Sequence, residues 1–213
     1  MYITWYGLSC VKIEGKNNLG EFTIITDPFD PKKTGLKLPR VIRADIALQS
    51  RADREMQDMI SPAKADSSVF FIPSPGEYEK SGVFVAGTYI DHEQHVAYAI
   101  EAEDLHIYYC GPLHRLPTEK ELENLENVDV LIIPVGGHGV LDGKIAAELV
   151  SELEPRVIIP IYYKLPDLKI QLDGPEAFLK AVGVKPGEAL PKVKITKKDL
   201  PQEETQVFLL TPS

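Results

Sequence analysis

The sequence has 213 residues, 44% of them hydrophobic and 26% charged, which is typical of a globular protein with a substantial core. Lys and Arg number 23 against 32 Asp and Glu, and the resulting net charge of −9 disfavours binding to nucleic acid or anionic membranes. No apolar stretch approaches the roughly 20 residues that span a bilayer, and the N-terminus lacks a signal-peptide pattern, so we expect a cytoplasmic protein. Cys10 and Cys110 lie in apolar segments and are predicted to be buried free thiols.

The first half of the chain predicts a series of short strands. Segments rich in β-branched and aromatic residues alternate with turn residues, as strands and their connections do. These segments are 2–6, 10–14, 22–26, 45–49, 69–72, 83–88, 96–101 and 105–110. The sequence Asn17-Asn18-Leu19-Gly20 predicts a hairpin loop between the second and third of them.

The second half predicts strands that alternate with helices. Residues 129–134 and 156–161 are apolar on both faces, which favours strands covered by helices. Helices are predicted over 118–126, 143–153 and 176–182, and two final strands over 192–198 and 206–210. Thr118 and Glu121 form a capping box, while Asp142 caps a helix whose apolar stripe contains Ile145, Leu149 and Leu153. Because no repeat or linker divides the chain, we expect one domain over residues 1–213.

Residue patterns alone indicate no catalytic site. The histidines are His92, His95, His106, His114 and His138, and none has acidic neighbours at a strong metal-ligand spacing. His92 and His95 would point to opposite faces of a strand, so a solvated loop is the preferred interpretation. The sequence has no nucleophile elbow, phosphate loop or dinucleotide fingerprint.

Several segments, read together, resemble the metallo-β-lactamase-fold hydrolases, especially the lactonase-like branch of Zn-dependent hydrolases. The segments are Ile3-Thr4-Trp5-Tyr6-Gly7-Leu8-Ser9-Cys10, Ile25-Thr26-Asp27-Pro28-Phe29, Ala44-Asp45-Ile46, Pro75-Gly76-Glu77-Tyr78-Glu79, residues 130–137 and residues 154–160. This resemblance implies an α/β fold, an αββα four-layer sandwich in which two mixed β-sheets carry helices outside and a metal site at one end.

The resemblance also implies where metal ligands would stand, and this chain departs from the family at those positions. The family's His-x-His-x-Asp-His loop corresponds to a stretch in which the ligand positions hold Arg51, Asp53, Glu55 and Met56. Pro112 stands for the later bridging aspartate, Tyr162 for the final histidine and Leu8 for an opening histidine. Asp27 lies beneath the metal site in the family, and we expect a structural carboxylate that accepts hydrogen bonds from loop amides.

These replacements predict a catalytically inactive member without a cofactor, in a binding or structural role. The cation of Arg51 would repel zinc, and proline offers no donor atom at position 112. Ion pairs among Arg51, Asp53, Arg54 and Glu55 would fill the former metal site, or the same region would form an electropositive recess for an anionic metabolite. The partner would be a small molecule or a protein of unknown identity.

Two other functions stay open at this point. Asp53, Glu55 and His92 could hold a weakly bound Mg²⁺, Mn²⁺ or Ca²⁺, hard cations that prefer oxygen ligands. The protein would then be a metal-dependent hydrolase of esters, lactones or phosphodiesters with an atypical, oxygen-rich site. It could also be a structural subunit of an oligomer.

Overall fold

The computed structural model describes residues 1–51, 57–90, 95–123, 125, 127–185 and 187–213. The strands are β1 (Tyr2–Gly7), β2 (Cys10–Asn17), β3 (Gly20–Thr26), β4 (Ile42–Ala44), β5 (Ile46–Leu48), β6 (Ile60–Pro62), β7 (Phe70–Ile72), β8 (Gly76–Lys80), β9 (Val83–Ile90), β10 (His95–Ala102), β11 (Leu105–Tyr109), β12 (Val130–Pro134), β13 (Val157–Ile161), β14 (Val193–Lys194) and β15 (Gln206–Val207). The helices are α1 (Pro31–Thr34), α2 (Glu119–Leu122), α3 (Gly143–Leu153) and α4 (Glu176–Val182), with short 3-10 helices at Gln57–Met59 and Lys197–Asp199.

The strands form two large mixed sheets and a small one. The first sheet has the order β14-β1-β2-β3-β5-β7 and the second the order β15-β13-β12-β11-β10-β9-β8, while β4 pairs only with β6. β3, β5 and β7 are parallel, as are β11, β12, β13 and β15, and the remaining pairs of both large sheets are antiparallel. The predicted hairpin loop is confirmed, because Asn17 pairs with Gly20.

The main core lies between the two large sheets. Trp5 on β1 and Tyr98 on β10 are fully buried there. The Tyr98 hydroxyl lies 2.8 Å from the Gln49 carbonyl oxygen and 2.7 Å from that of Ile72, so the second sheet is hydrogen-bonded to the first. β12 and β13 are buried along their whole length, as their continuous apolar sequences predict. The predicted sandwich fold is therefore confirmed.

The second half contains the predicted helices, with two corrections. α3 is capped by Asp142, which accepts hydrogen bonds from the Lys144 and Ile145 amides, but the predicted stripe is partly wrong. Ile145 is 36% exposed, because Gly143 packs against the backbone of α4 and turns Ala146 and Ala147 inward. In the described part of the chain, no helix has the length and apolar character needed to cross a membrane.

The second correction concerns α2, which ends at Leu122 instead of residue 126. Its capping box forms as predicted, with the Thr118 amide 2.7 Å from a Glu121 carboxylate oxygen. The chain then turns, and the Leu125 amide donates to the Leu122 carbonyl. Since Asn is a poor helix former, Asn124 and Asn127 favour an early end.

The tail strands are also shorter than predicted, and some elements were not predicted at all. β14 and β15 have two residues each, and a turn closed by the Thr196 hydroxyl and the Asp199 carboxylate interrupts the first predicted tail strand. α1, β4, β6 and β8 were not predicted, because their short sequences lack an apolar periodicity.

Candidate functional site

Loops that follow strands of both sheets meet at one end of the sandwich. The Tyr162 amide, just after β13, donates to the Leu8 carbonyl, just after β1, over 3.1 Å. The Tyr109 hydroxyl, at the end of β11, lies 2.6 Å from the Ser9 carbonyl oxygen. Ligand sites of α/β proteins form where such strand ends meet. We call this region, built around Leu8, Asp27, Ser50, Gly111 and Tyr162, the strand-end site.

A buried carboxylate ties the strand-end site together. Asp27 is fully buried after β3, and its Oδ1 accepts the Ser50 amide hydrogen over 2.8 Å. Its Oδ2 accepts from the Ser50 hydroxyl and lies 2.6 Å from the Tyr109 hydroxyl. Burial and the Asp27 charge raise the pKa of Tyr109 well above its usual value, so this phenol stays protonated and can donate. The aspartate therefore fixes the ends of β5 and β11 relative to β3.

The backbone at the strand-end site is unusually left-handed. Leu8, Asp27 and Tyr162 have φ angles of 48°, 35° and 54°, although none of them is glycine. Such conformations cost free energy and cluster at functional sites. Gly111 has a φ of 57°, and a Cβ atom there would lie 2.3 Å from the Ser50 hydroxyl oxygen. Only glycine fits at this close approach.

His95, the first residue of β10, lies beside Gly111 and is only 1% exposed. Its Nε2 lies 2.7 Å from the Cys110 carbonyl oxygen, which can only accept, so Nε2 carries the hydrogen. Burial lowers the pKa of His95 to about 4, and the ring is neutral at pH 7. Nδ1 then holds a lone pair, and this atom has no hydrogen-bond partner within the described residues.

The predicted site residues fall into two groups. Leu8 and Tyr162 are buried and hydrogen-bonded through their backbones, Arg51 follows Ser50 and is half-buried, and buried Pro112 follows Gly111. Asp53, Arg54, Glu55, Met56 and His92 lie outside the described residues.

The described residues of the strand-end site do not fit zinc. Leu8 and Pro112 have no donor side chains, Arg51 is permanently cationic, and zinc sites in proteins use Cys, His and carboxylates. Both oxygens of Asp27 already accept hydrogen bonds from Ser50 or Tyr109. Within the described ranges, no three His, Cys, Asp or Glu residues are grouped as metal ligands would be.

Sequence reasoning missed three residues of this site. Ser50 and Tyr109 were not selected, because a serine after a strand and a tyrosine within one have no distinctive pattern. The expectation of a solvated loop was wrong for His95, which is buried at the start of β10. The alternation of His95, Ala97 and Ala99 was a usable strand signal.

A cavity opens beside the strand-end site, with a volume of about 700 Å³. Leu8 and Tyr162 line it together with the apolar side chains of Phe29, Met59 and Ile170. Lys33 is the one basic residue among the described residues that line it. Asp30 lines it as well, so the described residues place one cation and one carboxylate at the edge of an apolar recess.

This sandwich, with its site where loops of both sheets meet, defines a protein of the metallo-β-lactamase fold. The sequence profile of the beta-lactamase superfamily domain matches residues 2–162. Because the match covers most of the 213 residues, the chain belongs to this family.

Relatives of known name are metal-dependent hydrolases. A UPF0173 metal-dependent hydrolase from Thermococcus onnurineus is 33% identical over 102 residues, which are 44% of this chain and 44% of that protein. The matched segment thus spans less than half of that relative. A UPF0173 metal-dependent hydrolase from Thermoplasma acidophilum is 23% identical over 210 residues, covering 85% of this chain and 90% of that protein.

Two solved structures of metallo hydrolases are similar to this chain over nearly its whole length. A Thermotoga maritima protein assigned to the Zn-dependent hydrolases of the metallo-β-lactamase superfamily has a TM-score of 0.80 and 26% identity, over 98% of this chain and 97% of that chain. Igni18, a metallo hydrolase from Ignicoccus hospitalis, has a TM-score of 0.63 and 16% identity, over 99% and 95% of the two chains. The second similarity shows the fold alone.

Proposed function

We propose that this protein uses the strand-end site to bind a small anionic molecule and does not hydrolyse it. The observation that carries the proposal is the contrast between backbone and side chains there. The left-handed residues and the Asp27 hydrogen bonds hold the loops in place, while Leu8, Arg51, Pro112 and Tyr162 lack the ligand atoms of a zinc enzyme.

The surroundings of the site support an anion as the ligand. Arg51 follows Ser50 at the strand-end site, and Lys33 lines the adjoining cavity together with the carboxylate of Asp30, so two cations face one carboxylate there in a protein whose net charge is −9. The side chains of Leu8, Phe29 and Tyr162 are themselves buried and form an apolar wall of the cavity, against which the apolar part of a ligand can pack. We expect a carboxylate or phosphate attached to an apolar group.

The second candidate is a metal-dependent hydrolase of esters, lactones or phosphodiesters. The names of the relatives favour it, as does Nδ1 of His95, a potential ligand atom that has no hydrogen-bond partner among the described residues. Asp53, Glu55 and His92 would then bind a hard divalent cation. The metal would supply an activated water as nucleophile.

Metal content and hydrolysis separate the two candidates. Protein purified without a polyhistidine tag is dialysed against a mild chelator, analysed for zinc, manganese and magnesium, and assayed with a lactone, a β-lactam and a phosphodiester. Our proposal predicts no stoichiometric metal and no turnover, with or without added cation. Close to one equivalent of bound metal together with turnover would establish the hydrolase instead.

A restored variant tests whether the replaced positions form one site. It combines Arg51→His, Asp53→His, Glu55→Asp, Met56→His, Pro112→Asp and Tyr162→His. We expect calorimetry to show tighter zinc binding than in the parent, because zinc ligands must surround one small volume. Equal zinc affinity in a variant that is folded by circular dichroism would refute the assignment of these positions.

A further inference from the structure

A second cavity lies on the face of the second sheet that points away from the first sheet. It has a volume of about 360 Å³, in the range of small-molecule sites. Its lining residues come from β8, β9, β10 and β11 and from the segment after α2, which contributes Leu125 and Val128. None of the described residues of the strand-end site lines it. We call it the outer cavity.

Strand pairing explains why the outer face of the second sheet has a depression at this point. Glu77 pairs with Ala86, Ala86 with Ala99, and Ala99 with Tyr108. Paired residues point to the same face, so these four side chains form one row across four strands. Two methyl groups thus lie between a carboxylate and a phenol whose Cα atoms are about 14 Å apart, three strand spacings.

The neighbouring row of larger side chains forms one wall of the cavity. Phe84 pairs with Glu101, and Glu101 with His106, so an aromatic ring, a carboxylate and an imidazole follow one another. Phe84 is 54% exposed, which is unusual for a large aromatic residue on a sheet.

The Tyr108 hydroxyl is the unsatisfied group of the outer cavity. Tyr108 is 2% exposed and lines the cavity, and its hydroxyl has no hydrogen-bond partner in the described part of the chain. A buried polar group without a partner is destabilising, because it has lost its hydrogen bonds to water. A ligand with a polar atom at this end of the cavity would remove that cost.

The charges at the outer cavity select the sign of the ligand. Glu77 and Glu101 line it, and neither Lys nor Arg is among its described lining residues. The aromatic face of Phe84 attracts cations as well. An anion would meet two carboxylates, while His106 is the one basic side chain among the described lining residues.

We propose that the outer cavity is a binding site for a small organic cation, an amine or amidine on an apolar or aromatic body. The charged group lies near Glu77 and Glu101, the apolar body covers Ala86 and Ala99, and the Tyr108 hydroxyl bonds to a polar atom of the ligand. This site is separate from the proposed anion site and does not depend on it.

The test uses three probes of similar shape and different charge: phenethylamine, 2-phenylethanol and 3-phenylpropionate. Binding to the whole protein is measured by calorimetry and by saturation-transfer NMR. We expect phenethylamine to bind most tightly, and the double variant Glu77→Gln/Glu101→Gln to weaken it about tenfold, since the ammonium group would lose its ionised acceptors. The control Glu148→Gln removes the same charge from an exposed residue of α3 that does not line the cavity, and should change affinity less than about twofold.

Filling the cavity gives an independent result. Ala99→Leu places a larger side chain over its floor and should abolish phenethylamine binding while circular dichroism shows a folded protein. If Ala99→Leu does not fold, Ala86→Leu on the neighbouring strand is used, because Ala86 is exposed. The proposal is overturned if the probes bind equally well, if none binds, or if the charge and filling variants bind phenethylamine like the parent.

Discussion

Tyr108 and Tyr109 are neighbours on β11 whose hydroxyl groups have opposite surroundings. Successive side chains of a strand point to opposite faces. The Tyr109 hydroxyl therefore reaches the strand-end site, where Asp27 and the Ser9 carbonyl lie within hydrogen-bond distance. The Tyr108 hydroxyl is equally hidden from water but has no partner in the described part of the chain.

The difference separates structural polar groups from those available to a ligand. Both carboxylate oxygens of Asp27 have donors, so the buried charge depends on Ser50 and Tyr109 for its compensation. In the outer cavity, empty volume accompanies the unpaired hydroxyl. Substitutions should therefore cost much stability at the strand-end site and little at the outer cavity.

The largest effect is expected for Asp27→Ala. The substitution leaves the Ser50 amide and the Ser50 hydroxyl buried without their acceptor, and we expect a loss of about 4 kcal/mol in the free energy of unfolding. Urea denaturation measures it. Asp30→Ala is the control, because Asp30 caps only the short exposed helix α1 and should cost about 1 kcal/mol. Equal losses would remove the special role of the Asp27 contacts.

The next effect is a dependence of stability on pH through His95. Its folded pKa of about 4 lies below the usual 6.5, so the unfolded chain binds more protons between these values. The free energy of unfolding is therefore unaffected by the titration of His95 above pH 6.5. It decreases as the pH falls toward 4, by about 3 kcal/mol in total. We expect the unfolding free energy of His95→Gln to decrease less than that of the parent between pH 7 and 4.5. Parallel curves would contradict this.

Tyr109→Phe should have an intermediate effect. It removes one donor to the Asp27 carboxylate but leaves both bonds from Ser50, so we expect a loss of about 2 kcal/mol in urea denaturation. A change in unfolding free energy close to zero would mean that the hydroxyl adds nothing to the Asp27 contacts.

The smallest effect is expected for the matching change on the other face, Tyr108→Phe. Removing a buried hydroxyl without a partner should leave the unfolding free energy within about 0.5 kcal/mol of the parent or raise it. The same urea experiment compares it directly with Tyr109→Phe. A loss as large as that of Tyr109→Phe would show that Tyr108 has a partner in solution and would weaken the comparison.

Much of the fold could be predicted from the sequence. Apolar runs and turn residues identified most strands of both sheets, and the caps at Thr118 and Asp142 located two helix starts. These features are local, because they depend on the period of the side chains and on bonds within a few residues. β4, β6 and β8 were missed since short strands exist only through pairing with others.

The site was less predictable from the sequence, because its contacts join segments that are distant in the chain. The sequence, through its resemblance to a family, determined the fold and pointed to Asp27 as a structural carboxylate. Ser50, His95 and Tyr109 became visible only in the tertiary structure, because their partners lie 15 to 82 residues away in the chain. Ala86, Ala99 and Tyr108 likewise carry no signal singly. Only the register of four strands places them in one row, and register depends on contacts between segments that are distant in sequence.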